Sequence, residues 1–142
     1  MPLKSFSIII KKPIKDFKKN IVVDSDKSIS IRSFLIGSIS EGVSAVKNVL
    51  ESEDVFSTIN CLRKLNVKIN YRGKKNYEIF GRGLGSYKAK KNLKLDFGNS
   101  GTASRILTSI LSTTPNINVR LTGDKSLKKR NMQKLIILMS KF

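Results

Sequence analysis

From Ser28 to Ser40 the apolar residues Ile31, Leu35 and Ile39 recur at four-residue spacing with Phe34 beside them, which predicts a helix with one buried stripe. Glu41-Gly42 supplies its stop. A second stripe, Val55, Ile59, Leu62 and Leu65, predicts another helix capped by Ser52, with Glu53 and Asp54 in the first turn, where acids suit the dipole. Short β-rich runs surround these helices: "FSIII" (6–10), followed by a turn around Pro13, "NIVV" (20–23) and "VSAVKNVL" (43–50). "VKINY" (67–71) and "YEIF" (77–80), joined by "RGKKN", predict a hairpin.

The pattern then begins again. "LKLDF" (93–97) reads as a strand, "GNSGTASRILTSILS" as a loop entering a helix and "NINVRLT" (116–122) as a strand. "SLKKRNMQKLIILMSKF" (126–142) reads as a helix with Met132, Leu135, Ile136 and Met139 apolar. A shift of roughly 73 residues lays Arg32 on Arg105, Val46 on Val119 and Leu62 on Leu135, as a repeat architecture would. Each unit runs strand, polar loop, helix, strand, helix, then strands, and the second stops before its closing strands. The expected fold class is therefore α/β (α+β), with repeats at about 20–81 and 92–142.

Composition narrows the chemistry. A chain of 142 residues suits one domain with a real core, and 39% hydrophobic residues suit a globular one. Apolar runs such as 8–10 and 135–139 are too short to span a bilayer, and the first residues lack the length and cleavage site of a signal peptide, so the expectation is a cytoplasmic protein. With no histidine and Cys61 as the single cysteine, Ser-His and Cys-His nucleophile pairs, an internal disulfide and most zinc sites are excluded. Cys61 is expected to be a core or boundary residue. Asp96 and Asp124 are expected in turns or caps, and Asp54 in service of a helix dipole.

The net charge of +18 calls for anionic ligands, nucleic acid or a compositional bias towards lysine. The lysines are scattered in pairs (Lys11-Lys12, Lys74-Lys75, Lys90-Lys91 among them) without interleaved aromatic residues, which favours bias plus small anions over nucleic acid. Where strand meets helix, both units carry loops of small hydrogen-bonding residues. Lys27 and Ser28, with Arg32 one turn later, and Asn99, Gly101, Thr102 and Arg105 stand where helix N-termini leave backbone N–H groups unpaired, a ready anion site. Read alone, each loop is equally well explained with Ser28 and Thr102 as helix caps and the arginines as solvated surface.

At this point the residues carry a resemblance. "DKSISIRSFLIGSISEG" is similar to the DKSISHR signature of the EPSP synthase family, the enolpyruvyl transferases acting on shikimate 3-phosphate. "DFGNSGTASRIL" resembles that family's GNxGTxxR loop and "LTGDKSLKKRNM" its LTGDxSLxxRPM segment, in the same order; "LESEDVFSTINCLRKLNVKI" between them also fits. The related transferases acting on UDP-N-acetylglucosamine share the fold but lack the DKS-type signature. The sequence departs from the pattern at Asp24-Ser25, where the family has Pro-Gly, at Ile31 in place of histidine, and at Ile106 and Asn131 in place of proline, which frees a backbone angle and restores an N–H.

The resemblance implies an inside-out α/β barrel of βαβαββ repeats, here one full repeat and most of a second. Residues 1–19 would form a strand segment packing on a second domain, and 20–142 an incomplete N-terminal domain. It implies that Lys27, Ser28 and Arg32 bind shikimate 3-phosphate, that Lys27, Gly101 and Arg130 bind phosphoenolpyruvate, and that Asn99, Thr102 and Arg105 shape the pocket. The 5-hydroxyl of shikimate 3-phosphate adds to the enol carbon of phosphoenolpyruvate and phosphate is then expelled, on the pathway to chorismate and the aromatic amino acids. The acid/base carboxylates are expected in the part of the family's fold absent here, so no catalytic residue is assigned in this chain, and the isolated chain is expected to be inactive. Neither metal nor cofactor is implied, no membrane partner is expected, and full-length relatives are expected to be monomeric. The alternative from another class is a basic module for nucleic acid or another polyanion, or an inactive remnant of such an enzyme.

Overall fold

A computed structural model describes Ile9 and residues 23–141. The strand expected at 6–10, the turn at Pro13, the 1–19 segment and residues 20–22 of the strand expected at 20–23 lie outside that description, apart from the exposed Ile9. The first helix, α1 (Lys27–Ile39), leads into β1 (Glu41–Val46), α2 (Glu53–Lys64), β2 (Lys68–Tyr71) and β3 (Tyr77–Arg82). Then follow β4 (Leu93–Asp96), α3 (Gly101–Ser112), β5 (Val119–Thr122) and two short helices, α4 (Lys125–Lys128) and α5 (Gln133–Met139).

β1, β3 and β2 form an antiparallel sheet in that order, with Val43 opposite Phe80 and Ile69 opposite Ile79. β4 and β5 pair in parallel, Leu95 against Leu121, with α3 as their crossover. The class is thus mixed α/β, as the alternation of periods predicts. α1 is the hub: it packs on α2, on β1 and β3, and on α3. Ile31, Phe34 and Leu35 of α1 are fully buried, and the ring of Phe34 meets Tyr77 edge-on at 5.2 Å. Val55, Ile59, Leu62 and Leu65 all enter the same core, which continues through Leu95, Phe97 and Leu107. Ile31, which stands where the resembling signature has histidine, is thus a core residue.

One alternative reading and one expectation change on the structure. The caps of α1 and α3 are not Ser28 and Thr102 but Asp26 and Ser100, whose side chains accept from the backbone N–H groups of Ile29 and Ala103. A cap must precede the first helical residue, and both helices begin earlier than the apolar stripe does. The caps also fall one residue out of the register that superposes Arg32 on Arg105. The single C-terminal helix is instead two pieces, because the N–H of Arg130 turns back to Leu127 and the Asn131 side chain accepts from Gln133, breaking the helical ladder between them. α5 buries no residue; Ile136 is 59% exposed.

Candidate functional site

The first turns of three helices face one another. Lys27 and Ser28 open α1, Asp54 lies in the first turn of α2, and Gly101 and Thr102 open α3. Together with Asn99 and Arg130 they line one cavity of about 220 Å³. Because first-turn residues of three helices line it, the cavity lies near positive helix ends, which favour negative charge. Two cations, Lys27 and Arg130, add to that field, and Asp54 opposes it.

The local sequence explains why the polar groups here remain available. Most helical serines and threonines in the chain return their hydroxyl to a carbonyl three or four residues back, as Ser33 does to Ile29 and Thr108 to Ser104. A residue in the first turn has no such helical carbonyl behind it. The hydroxyls of Ser28 and Thr102 and the amide of Asn99 make no hydrogen bond to another described residue, so they face the cavity unspent.

Arg130 reaches the cavity through a close approach of two loops. The N–H of Asp124 donates to the Gly98 carbonyl at 2.8 Å, and the Asp124 carboxylate caps α4 through Leu127 N–H at 2.7 Å. A side chain on Gly123 would strike both Leu127 and the Gly98 carbonyl. Asp96 in turn fixes the first loop by accepting from Gly98 N–H at 3.0 Å. Asp96 and Asp124 are therefore a turn and a cap residue, as their positions predict. The tether sets Arg130 Nη1 directly over Gly101, in space that a β-carbon there would need.

Lys27, Ser28, Asn99, Gly101, Thr102 and Arg130 are thus brought together; Arg32 and Arg105 are not part of the lining. Arg32 is exposed one turn further along α1, in a separate depression with Ile29, Ser33 and Ile36. Arg105 donates to the Asn131 carbonyl at 3.2 Å and so ties α3 to the α4–α5 junction. The residue that sequence reasoning missed is Asp54, whose carboxylate lies 2.9 Å from Lys27 Nζ. Its position in a first turn was already accounted for by the dipole, so no further local signal marked it. A larger and more open hollow of about 770 Å³, beside Lys68, Arg82 and Lys88, holds none of the motif residues.

Cys61 is buried on α2 with its thiol donating to the Asp96 carbonyl at 3.3 Å. Burial pushes that thiol up to about 12, with the nearby Asp96 charge adding to the rise and Lys64 opposing it. A thiol held protonated is no nucleophile, so Cys61 belongs to the core. Among the described residues no cluster of acids and cysteines could hold a metal ion, and no helix is long and apolar enough to cross a membrane.

Comparison with known proteins places this geometry in a family. The family profile described as EPSP synthase (3-phosphoshikimate 1-carboxyvinyltransferase) matches residues 11–141. The 3-phosphoshikimate 1-carboxyvinyltransferase of Thermoanaerobacter sp. (strain X514) is 44% identical over 127 residues, covering 89% of this chain and 29% of the relative. That of Desulforamulus reducens is 40% identical over 123 residues, 87% of this chain and 28% of its own. The solved EPSP synthase of Acinetobacter baumannii superposes with a TM-score of 0.77 at 36% identity, over 85% of this chain and 27% of that one. The chain therefore spans less than a third of the length of the relatives it matches. Three motif loops converging on one cavity, a profile match over nearly the whole chain and a superposable fold agree: the chain belongs to the EPSP synthase family.

Proposed function

We propose that this chain supplies an N-terminal, anion-binding part of an enolpyruvyl transferase that moves the carboxyvinyl group of phosphoenolpyruvate to the 5-hydroxyl of shikimate 3-phosphate. The observation that carries the reading is the single cavity shared by Lys27, Ser28, Asn99, Gly101, Thr102 and Arg130, lined by first-turn residues of three helices. Lys27 and Arg130 hold the phosphate and carboxylate of phosphoenolpyruvate against the Gly101 backbone. Ser28 and Lys27, with Arg32 from the next turn, hold shikimate 3-phosphate. Asn99 and Thr102 shape the pocket, and Arg105 supports it from outside through Asn131.

The reaction joins the hydroxyl oxygen, which gives up its proton, to C2 of phosphoenolpyruvate while C3 gains a proton; loss of a proton from C3 and of phosphate from C2 then restores the double bond. Holding two polyanions side by side is what cations and backbone donors do, and it removes the entropic cost of their encounter. Proton transfer falls to groups outside this chain. The domain assignment belongs to the same proposal: 20–142 as part of an inside-out α/β domain of βαβαββ repeats, 1–19 as a strand segment meeting a second domain, the active site closing between the two.

The test is an amide-shift NMR titration of the chain with phosphoenolpyruvate and with shikimate 3-phosphate, using inorganic phosphate as control; NMR detects millimolar binding, which half a site would retain. Saturable shifts at Lys27, Ser28, 99–102 and Arg130, larger than phosphate produces, are expected. Shifts no larger than the phosphate control, or spread over the scattered lysine pairs, would overturn the reading.

A further inference from the structure

We infer that Asp54 is a positioning residue for Lys27: its carboxylate, on the first turn of α2, pins the Lys27 ammonium at the mouth of the cavity so that it meets the incoming anion already placed. The inference rests on the functional reading above and adds to it a residue outside all three motif loops.

An acid in a cavity built for anions needs a reason. Asp54 opposes every negative ligand by Coulomb repulsion, and its residue is only 8% exposed, so that repulsion is weakly screened. Among the described residues its one ionic partner is Lys27, at 2.9 Å. Lys27, for its part, is badly placed to stay where it is. It is the first residue of α1, where the positive end of the dipole repels a cation, and its side chain is half exposed, so a flexible lysine would swing into water. The acid that precedes Lys27 in the chain, the α1 cap Asp26, is spent on the N–H of Ile29 at 2.6 Å. Asp54 reverses the balance. As the second residue of α2 it is itself stabilised by that helix's dipole, and it is fixed by a buried helix whose next turn enters the core through Thr58 and Ile59. A lysine anchored this way forfeits its rotamer freedom during folding and not during ligand binding, which leaves more of the attraction for the ligand.

The two possible roles of Asp54 predict opposite signs. If the carboxylate merely repels anions, Asp54→Asn tightens phosphoenolpyruvate binding. If it positions Lys27, Asp54→Asn weakens binding several-fold although a negative charge has been removed, and it does so only while Lys27 is present. The experiment measures phosphoenolpyruvate affinity by NMR titration for the full chain, Asp54→Asn, Lys27→Met and the double variant, together with the side-chain mobility of the Lys27 ammonium in the unliganded, unmodified chain. Expected are weaker binding in Asp54→Asn, no further weakening when it is added to Lys27→Met, and a Lys27 ammonium more ordered than that of Lys90. Unchanged or tighter binding in Asp54→Asn overturns this inference alone, leaving the functional reading intact. A Lys27 ammonium as mobile as that of Lys90 in the unmodified chain does the same without requiring any variant to fold. If the unmodified chain binds no phosphoenolpyruvate, the functional reading falls and this inference with it.

Discussion

The guanidinium of Arg130 occupies the space where a side chain on Gly101 would begin. Two residues that lie on different motif loops are therefore one device: the missing β-carbon at the start of α3 leaves room for an arginine to lie against Gly101. Arg130 is carried there by the contact between the 98–100 and 123–124 loops, and the arginine and the helix N-terminus then act on the same anion.

Gly101→Ala tests this directly. The added methyl must push the guanidinium aside, since the arginine is the movable partner. Folding stability is expected to change by less than about 1 kcal/mol, because the arginine tip is exposed and can relocate. Phosphoenolpyruvate affinity is expected to fall, together with the backbone shifts at Gly101 and Thr102 in the titration. A chemical denaturation curve paired with the titration separates the two effects.

Alkaline stability should fall in a window opened by the buried Cys61 and Tyr87, while burial and its bond to Glu51 raise Tyr77 further still. Cys61 ionises near 9.0 in the unfolded chain and is held to about 12 when folded. Burial likewise lifts Tyr87 from 10.0 to about 12, although its hydroxyl is paired with Ser38. A raised folded value means that the unfolded state releases its protons first. Stability is full below pH 9.0 and is lost as pH rises from there towards about 12. Urea midpoints at a series of pH values from neutral to strongly alkaline should show this decline, and Cys61→Ala with Tyr87→Phe should lessen it, Tyr77 supplying the remainder. For the same reason Cys61 should resist alkylation in the folded chain at neutral pH.

Phe34 should be among the costliest core positions. Its ring is fully buried on the hub helix and stands edge-on to Tyr77. Phe34→Ala leaves a cavity between α1 and the antiparallel sheet and should cost about 3–5 kcal/mol, read as a lowered urea midpoint at an unchanged slope.

Gly81 should tolerate no side chain. A β-carbon there would fall on the carbonyls of Ser40 and Gly37, where β3 crosses the end of α1. Backbone cannot step aside as an arginine tip can, so Gly81→Ala should destabilise by about 1–3 kcal/mol while leaving the titration of the cavity residues unchanged in the folded fraction.

What the sequence determined by itself was local. The stripe Val55, Ile59, Leu62 and Leu65 states its helix because burial on one face repeats at the helical period, and the hairpin at 67–80 states itself through its turn residues; both follow from neighbours along the chain. The motif loops were legible for the same reason, since each is one short run of residues. Tertiary structure alone decided what those runs do to each other. It set the first turns of α1, α2 and α3 around one cavity and left Arg32 and Arg105 outside its lining. The caps at Asp26 and Ser100 are local, each accepting from the N–H three residues on, but the apolar stripe does not mark where the first turn starts. The break of the C-terminal helix at Arg130 and Asn131 is likewise made by short-range bonds, to Leu127 and from Gln133, that the apolar period does not show. Asp54 marks the boundary best. Along the chain it is a first-turn acid, 27 residues from Lys27; in space it is that lysine's partner, because packing α1 on α2 brings opposite charges together where one of them is almost dry and the attraction is least screened.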